Sequence, residues 1–233
     1  MHHTSTVVLP IRKGSQRVIQ KNIRSIGDFK YGLTEIKLKQ LMQCNFFTEI
    51  LVDTDLENIE EIINLIDIPK FGPKIRIERR PEYLSGRDAT TDDLIKYIIP
   101  KIKTDTMVWT HVTSPFFNKE SYQKFWEKYC ALPEAHDSLV AADVLKEFLW
   151  TDEGPLNYDT NKLRWPFTQS LKPIYLINSA AFAISTTKAK QYNDRMGNAP
   201  LFYESASIEG FDVDWEDQFK MVELFVQNGY KLV

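Results

Sequence analysis

Cysteine is almost absent: Cys44 and Cys130 are the two in 233 residues, far apart and without CxxC or Cys/His partner spacing. That excludes a disulfide framework and a thiolate zinc site, and it fits a reducing, cytoplasmic setting. No apolar run approaches the ~20 residues needed to cross a bilayer. The first residues, MHHTSTVVLP, lack the basic and apolar regions of a secretory signal, so no membrane partner is expected. Excess positive charge is missing too. Lys and Arg number 29 against 32 Asp and Glu, a net charge of -3, which argues against nucleic acid as a partner. There is no Walker A motif and no G-x-G-x-x-G. No G-x-S-x-G elbow surrounds a serine and no H-E-x-x-H is present, so neither a nucleophile triad nor a zinc-hydrolase helix is expected.

The length suits one large domain or a domain with a modest insertion. Short β-rich runs alternate with longer amphipathic stretches. Strands are expected over 6–11, 49–53, 74–78, 106–111 and 137–141, with helices over 33–44, 56–66, 91–102 and 119–131. Ile59, Ile62, Ile63 and Ile66 recur at helical spacing, and Asp92 and Asp93 follow Thr91 in a first turn, where the helix dipole favours acids. This alternation predicts an α/β fold: a mostly parallel, Rossmann-like sheet with helices on both faces. From about 144 to 175 the rhythm breaks into aromatics, Pro and turn residues, which reads as an insertion covering the sheet or meeting a partner subunit. NSAAFAIS then reads as a strand, followed by a short helix near 187–192. A short strand around FDVD is expected to lead into a final helix.

Four segments carry possible chemistry. After the first strand, LPIRKGSQRVIQKNI places Arg12, Lys13, Arg17 and Lys21 around Gly14 and Ser15. Backbone N–H groups in such a turn and nearby guanidinium groups suit phosphate, although a solvated basic turn has the same composition. In FDVDWED, Asp212 and Asp214 are two apart, so an extended segment directs both carboxylates to one face, which suits Mg²⁺. The alternative has Asp214 capping the following helix. Arg79, Arg80 and Arg87 sit in a loop before a helix start, where an anion or neighbouring carboxylates would both fit. Finally, THVTSP puts Thr113 and Ser114 at a strand end beside His111, which is either a base or a structural histidine.

Taken in order, these segments resemble the acylneuraminate cytidylyltransferase family, the CMP-sialic acid and CMP-Kdo synthetases. The family's P-A-R-x-G-S-K-x-x-x-x-K-N is matched by Pro10, Arg12, Gly14, Ser15, Lys21 and Asn22. RRPEYLSGRDATTDDLI resembles its R-x-x-x-L stretch, and WTHVTSP its L-L-Q-P-T-S-P. Its Q-D-L-P-x-x-Y-x-x-N-G-A-x-Y-I is matched at Gln169, Tyr175 and Asn178, and its D-I-D-T-x-x-D by GFDVDWEDQ. The resemblance covers nearly the whole chain. It implies transfer of CMP from CTP to a 2-keto-3-deoxy sugar acid, with release of pyrophosphate. Arg12, Ser15 and Lys21 would hold the triphosphate, with Gly14, Gln16 and Arg17 in the same loop. Asn22, Arg80 and Thr91 would lie by the nucleotide, and Asp212 and Asp214 would hold Mg²⁺. Gln169 and Asn178 would lie toward the sugar acid, as would His111, whose position faces it in relatives; Thr113 and Ser114 would bind polar substrate atoms. The resemblance also implies a homodimer built through the 144–175 insertion.

Four departures stand out. Gln16 replaces the loop Lys, with Arg17 next to it as a substitute; His111 and Val112 replace the Gln and Pro before T-S-P; Ser179 replaces the Gly after Asn178; and SPFFNKES lacks the Arg that commonly follows T-S-P. They suggest a variant acceptor, legionaminate-like, pseudaminate-like or Kdo-type. Two other readings stay open: a D-x-D nucleotide-sugar glycosyltransferase, and a nucleotide-binding homologue that has lost turnover.

Overall fold

The computed structural model describes residues 3–15, 17–86, 88–206 and 208–233. Gln16 and Arg87 therefore lie outside the described residues. The main sheet is built from β1 (Ser5–Ile11), β2 (Glu49–Thr54), β3 (Lys74–Arg79), β4 (Thr106–Trp109), β5 (Ser138–Leu145), β8 (Ile174–Ser185) and β9 (Pro200–Glu204). A small separate hairpin pairs β6 (Trp150–Thr151) with β7 (Gly154–Pro155). The main order is β3-β2-β1-β4-β8-β5-β9. Strand β8 runs antiparallel to β4 and β5, and the other neighbouring pairs are parallel.

Helices cover both faces because the strands are apolar on both. On β1, Val7, Leu9 and Ile11 face α1 (Gly32–Met42), α5 (Lys119–Cys130) and α7 (Glu216–Gln227), while Val8 faces α4 (Thr91–Ile98) and α6 (Thr186–Tyr192). Helix α2 (Ile59–Asn64) docks through Ile59 and Ile62, both fully buried. Helix α7 is fastened by Phe219, which is fully buried and has the Arg24 guanidinium 3.9 Å from its ring centre. Truncating Phe219 to Ala would cost about 3–5 kcal/mol and would loosen the loop that precedes the helix.

The expected fold class is what the chain adopts, and three elements differ from their expected form. Residues 211–214 are irregular rather than a strand. Strand β9 was not foreseen, and β8 begins at Ile174, inside the stretch read as an insertion. Its first residues pair with the far end of β5, Leu145 against Ile174 and Val144 against Tyr175, so a two-stranded ribbon carries the irregular region outward. The sheet is thus a scaffold with one topological switch point. From β1 the chain moves to β2 and β3 on one side and returns to β4 on the other. A cleft opens at the carboxyl ends of β1 and β4, where ligands bind in open α/β sheets.

Candidate active site

The cleft at the switch point has a volume of about 270 Å³. Its walls come from the loop after β1 (Pro10, Arg12, Gly14, Ser15, Lys21, Asn22), from Arg80, from the start of α4 (Thr90, Thr91) and from the residues after β4 (His111, Thr113). Arg12 Nε donates to the Gly14 carbonyl at 2.8 Å, and Asn22 Nδ2 donates to the Arg12 carbonyl at 2.8 Å. These bonds curl the loop, and among the described residues the rest of the Arg12 guanidinium has no hydrogen-bond partner. The Asn22 amide oxygen is buried and has no hydrogen-bond partner among the described residues. Lys13 points away, its ammonium 2.8 Å from Glu57.

The acidic side is brought in from the far end of the chain. Lys21 Nζ donates to the Val213 carbonyl at 2.6 Å and to Asp214 Oδ1 at 3.2 Å, and Arg17 sits 3.1 Å from Asp214 Oδ2. Arg17 also lies over the Trp215 ring, 4.7 Å from its centre. Asp214 does not cap α7. The Gln218 amide oxygen takes that part, accepting from the backbone N–H groups of Asp214 and Trp215 at 2.7 and 2.9 Å. Asp214 is therefore free to face the cations.

Asp212 is tied beside Thr113 by the Val213 N–H, which donates to the Thr113 carbonyl at 2.8 Å. Burial pushes its carboxyl above the usual range, and the charge of Asp214 adds to this, against a Thr113 hydrogen bond and Lys21. Its Oδ1 is buried with no partner. An orphaned carboxylate oxygen beside a second carboxylate fits a hard divalent cation that completes its shell with phosphate and water. Among the described residues no group of three or more His, Cys, Asp or Glu is placed to hold a metal, so a cation here would need substrate oxygens.

Glycine is required where this loop passes the β5–β8 ribbon. A Cβ on Gly210 would lie 2.0 Å from Asp143 Oδ1 and 2.5 Å from Asn178 Nδ2. Asn178 is spent in that packing: its amide donates to Asp143 and to Ser205 Oγ at 2.9 Å each, and its oxygen accepts from the Ala180 N–H. It supports the Asp212 loop from behind and is not a cleft residue, contrary to expectation. Ser114 is a second correction. It is fully buried, its carbonyl accepts from Lys37 Nζ at 2.8 Å, and its hydroxyl is sealed in without a partner. Gln169 is exposed in a 3₁₀ turn of the irregular region and does not reach this chain's cleft.

Arg80 is brought to the cleft by a buried partner that sequence patterning missed. Its Nε donates to Asp53 Oδ2 at 2.7 Å, with the Arg80 side chain 4% exposed and Asp53 fully buried. Arg79 turns away to Glu60 and the Leu56 carbonyl. Thr91 lines the cleft at the first position of α4, and Thr90 before it caps the helix, exchanging hydrogen bonds with Asp93. His111 is not placed to act as a base, because its Nε2 faces the N–H donors of Trp109 and Arg195 at 3.1 and 2.9 Å. Lys37 was also missed. Fully buried in α1, it holds the Ser114 and Phe117 carbonyls at 2.8 Å each, and burial lowers its pKa to about 7. It pins the loop that carries His111 and Thr113.

A cationic loop in a switch-point cleft, with Lys21 and Arg17 tied to the Asp214 carboxylate, suits nucleotide chemistry. A family model for cytidylyltransferases matches residues 6–229. The chain belongs to the cytidylyltransferase family. It is 23% identical over 227 residues to post-translational flagellin modification protein B of Campylobacter coli, covering 93% of this chain and 92% of that protein. Among solved structures, this cytidylyltransferase superposes on a CMP:2-keto-3-deoxy-manno-octonic acid synthetase complexed with CTP, with TM-score 0.63 and 13% identity over 97% of this chain and 99% of that one. It likewise matches the 4-diphosphocytidyl-2C-methyl-D-erythritol synthase of Anaerococcus prevotii, with TM-score 0.66 and 11% identity, covering 97% of each chain. At these identities the solved structures speak for the fold, and family membership makes the chain a CTP-dependent nucleotidyltransferase. A nucleotide-sugar glycosyltransferase is thereby set aside.

Proposed function

We propose that this cytidylyltransferase activates a 2-keto-3-deoxy sugar acid with CTP, giving the CMP-sugar and pyrophosphate. The observation that carries the reading is Lys21, which lines the cleft with Arg12 and holds Asp214 Oδ1 at 3.2 Å, while the Val213 N–H ties the Asp212–Asp214 segment to Thr113 of the cleft wall. The acceptor hydroxyl oxygen forms the new bond to the α-phosphorus, and the bond from that phosphorus to the bridging oxygen of pyrophosphate breaks. Such a transfer needs positioning and charge neutralisation more than covalent chemistry. Arg12 and the backbone of Gly14 and Ser15 receive the phosphates, and the Lys21 ammonium neutralises charge building on the leaving group. The fixed Arg80 fork, with Asn22 in the same cleft wall, supplies recognition at the nucleotide end. Asp212 and Asp214 would hold Mg²⁺, which when bound polarises the phosphate and neutralises its charge.

The acceptor class is supported by the likeness to the octonic acid synthetase and by kinship with a flagellin modification protein. A cytoplasmic location is supported by the unpaired cysteines, and no helix among the described residues is long and apolar enough to cross a membrane. A single domain working as a homodimer through the 144–175 region is supported by the apolar side chains exposed there. The deciding assay is pyrophosphate release from CTP and Mg²⁺ against sialic, legionaminate-like, pseudaminate-like and Kdo-type acids. Release with one or more acids is the expected result. No release with any acid at high enzyme concentration would sink the proposal.

A further inference from the structure

His111 lines the cleft, and its Nε2 lies 3.1 Å from Trp109 Nε1 and 2.9 Å from an Arg195 guanidinium nitrogen. An indole N–H and a guanidinium can only donate. Nε2 must then be the bare, accepting nitrogen, and the ring proton sits on Nδ1. A proton on Nε2 would set a third donor against two and add charge beside a fixed cation. The surroundings act in the same direction. Burial, then Arg195, then Lys21, Arg80 and Lys37 lower the His111 pKa to about 3. Nδ1 has no partner among the described residues, and the ring that carries it lines the cleft.

Arg195 is built in for this contact. It follows α6, which ends at Asn193 in the left-handed conformation. Its guanidinium lies 4.1 Å from the Phe182 ring centre and 5.4 Å from that of Trp109. Burial lowers its pKa to about 10, against the pull of Asp194 beside it and Asp92 in the first turn of α4. It remains a cation at neutral pH, yet among the described residues it forms no ion pair with a carboxylate. A buried guanidinium whose polar contact is one imidazole nitrogen is costly unless that contact serves something.

We infer that Arg195 is a positioning residue that locks His111 as the neutral Nδ1–H tautomer, so that the cleft wall offers one N–H donor, and neither a cation nor a base, to an oxygen of the acceptor acid. The lock is a property of this chain alone; the acceptor contact rests on the reaction proposed above. A wall of this kind reads an acceptor by the direction of one hydrogen bond and keeps that reading unchanged across physiological pH.

The lock is read by long-range ¹H–¹⁵N spectra of ¹⁵N-histidine protein between about pH 5.5 and 8.5, where a free imidazole changes charge. The signal missing from His111→Gln identifies the residue among the four histidines. In the wild type, His111 should show Nδ1 protonated and Nε2 bare, without titrating. Arg195→Met, which keeps most of the packing on Phe182 and Trp109, should let His111 titrate or populate the Nε2–H form; Arg195→Lys, still a donor, should restore the wild-type pattern. In parallel, Arg195→Met should raise KM for the acceptor about tenfold with KM for CTP unchanged. A titrating or Nε2–H His111 in the wild type, where folding is not at issue, overturns the lock. A switched tautomer with unchanged acceptor KM overturns its part in acceptor binding. If no acid supports turnover, the spectra still decide the lock and only the proposed reaction fails.

Discussion

Lys21 joins the two ends of the chain: its ammonium lies 2.6 Å from the Val213 carbonyl oxygen, 192 residues away, and 3.2 Å from Asp214 Oδ1. Its side chain is 12% exposed and that of Asp214 is 46% exposed, so the pair is only partly shielded and contributes modestly to stability. Its value is placement, because the cation is fixed in the wall of the cleft.

Replacing Lys21 by Met should therefore separate function from stability. Turnover should fall by about 10²–10³-fold, the usual loss when one preorganised charge is taken from a transition state. Stability should change by about 1 kcal/mol or less. Initial rates of pyrophosphate release and a urea melt of the same sample check this. A Lys21→Met enzyme within threefold of wild type would remove Lys21 from the mechanism.

Asp212 carries a pH signature with a definite sign. Burial raises its carboxyl pKa in the folded protein, so the folded state holds the proton more tightly than the unfolded chain. Stability contributed by this group is then present at low pH and is lost as pH rises from the ordinary carboxylate value, about 4, through the raised folded value. Asp212→Asn removes that loss. The variant should melt higher than wild type at neutral pH, with the gap closing below about pH 4. It should also lose the rise in Tm that Mg²⁺ with CTP gives the wild type, and turnover should drop by two or more orders of magnitude. Melting curves across pH, with and without ligand, test all three, and a variant less stable at neutral pH refutes the burial argument.

Ser179 has φ of +62° in the bulge of β8, where the pairing with β5 shifts register. A left-handed backbone at a residue with a Cβ stores strain of about 1–2 kcal/mol, which glycine relieves at an entropic cost of about 0.5–1 kcal/mol. Ser179→Gly should stabilise the protein by roughly 0.5–1 kcal/mol, and Ser179→Val should destabilise it by more. Chemical denaturation midpoints measure both. Equal midpoints for Gly and Val would show that the bulge is not strained.

The sheet, the helices on its faces and the basic loop after β1 were legible because each rests on local pattern. Strand and helix periods are local, and Arg12, Lys21, Asp212 and Asp214 sit in runs whose spacing already suits phosphate and metal. What stayed hidden depends on pairing between distant segments. Asn178 and Ser114 belong to motif-like runs, yet a bulge register and a buried lysine turn them inward. Asp53 lies in an ordinary strand until Arg80 meets it. Arg195 follows a short helix in no motif at all, and only the approach of β4 gives it His111. Strand β9 begins with a proline and lies at the sheet edge, where its pattern is weak.

The irregular region leaves Leu163, Trp165 and Phe167 at 55%, 63% and 82% exposure, and Tyr175, Leu176 and Ile177 of the protruding ribbon are also open. So many large apolar side chains open to water in one region suit burial against a partner, and they lie where a homodimer is proposed. A stable dimer would bury on the order of 1,600 Å², with aromatic anchors carrying most of the affinity. Phe167→Asp combined with Trp165→Ser should convert a dimer into a monomer by light scattering, leaving the far-UV spectrum unchanged because neither residue packs in the core. Gln169 is in the same segment and does not reach its own chain's cleft. If it serves the partner's cleft instead, the monomeric variant loses acceptor turnover while still binding CTP. A wild type that scatters as a monomer at micromolar concentration would end both the dimer and this assignment for Gln169.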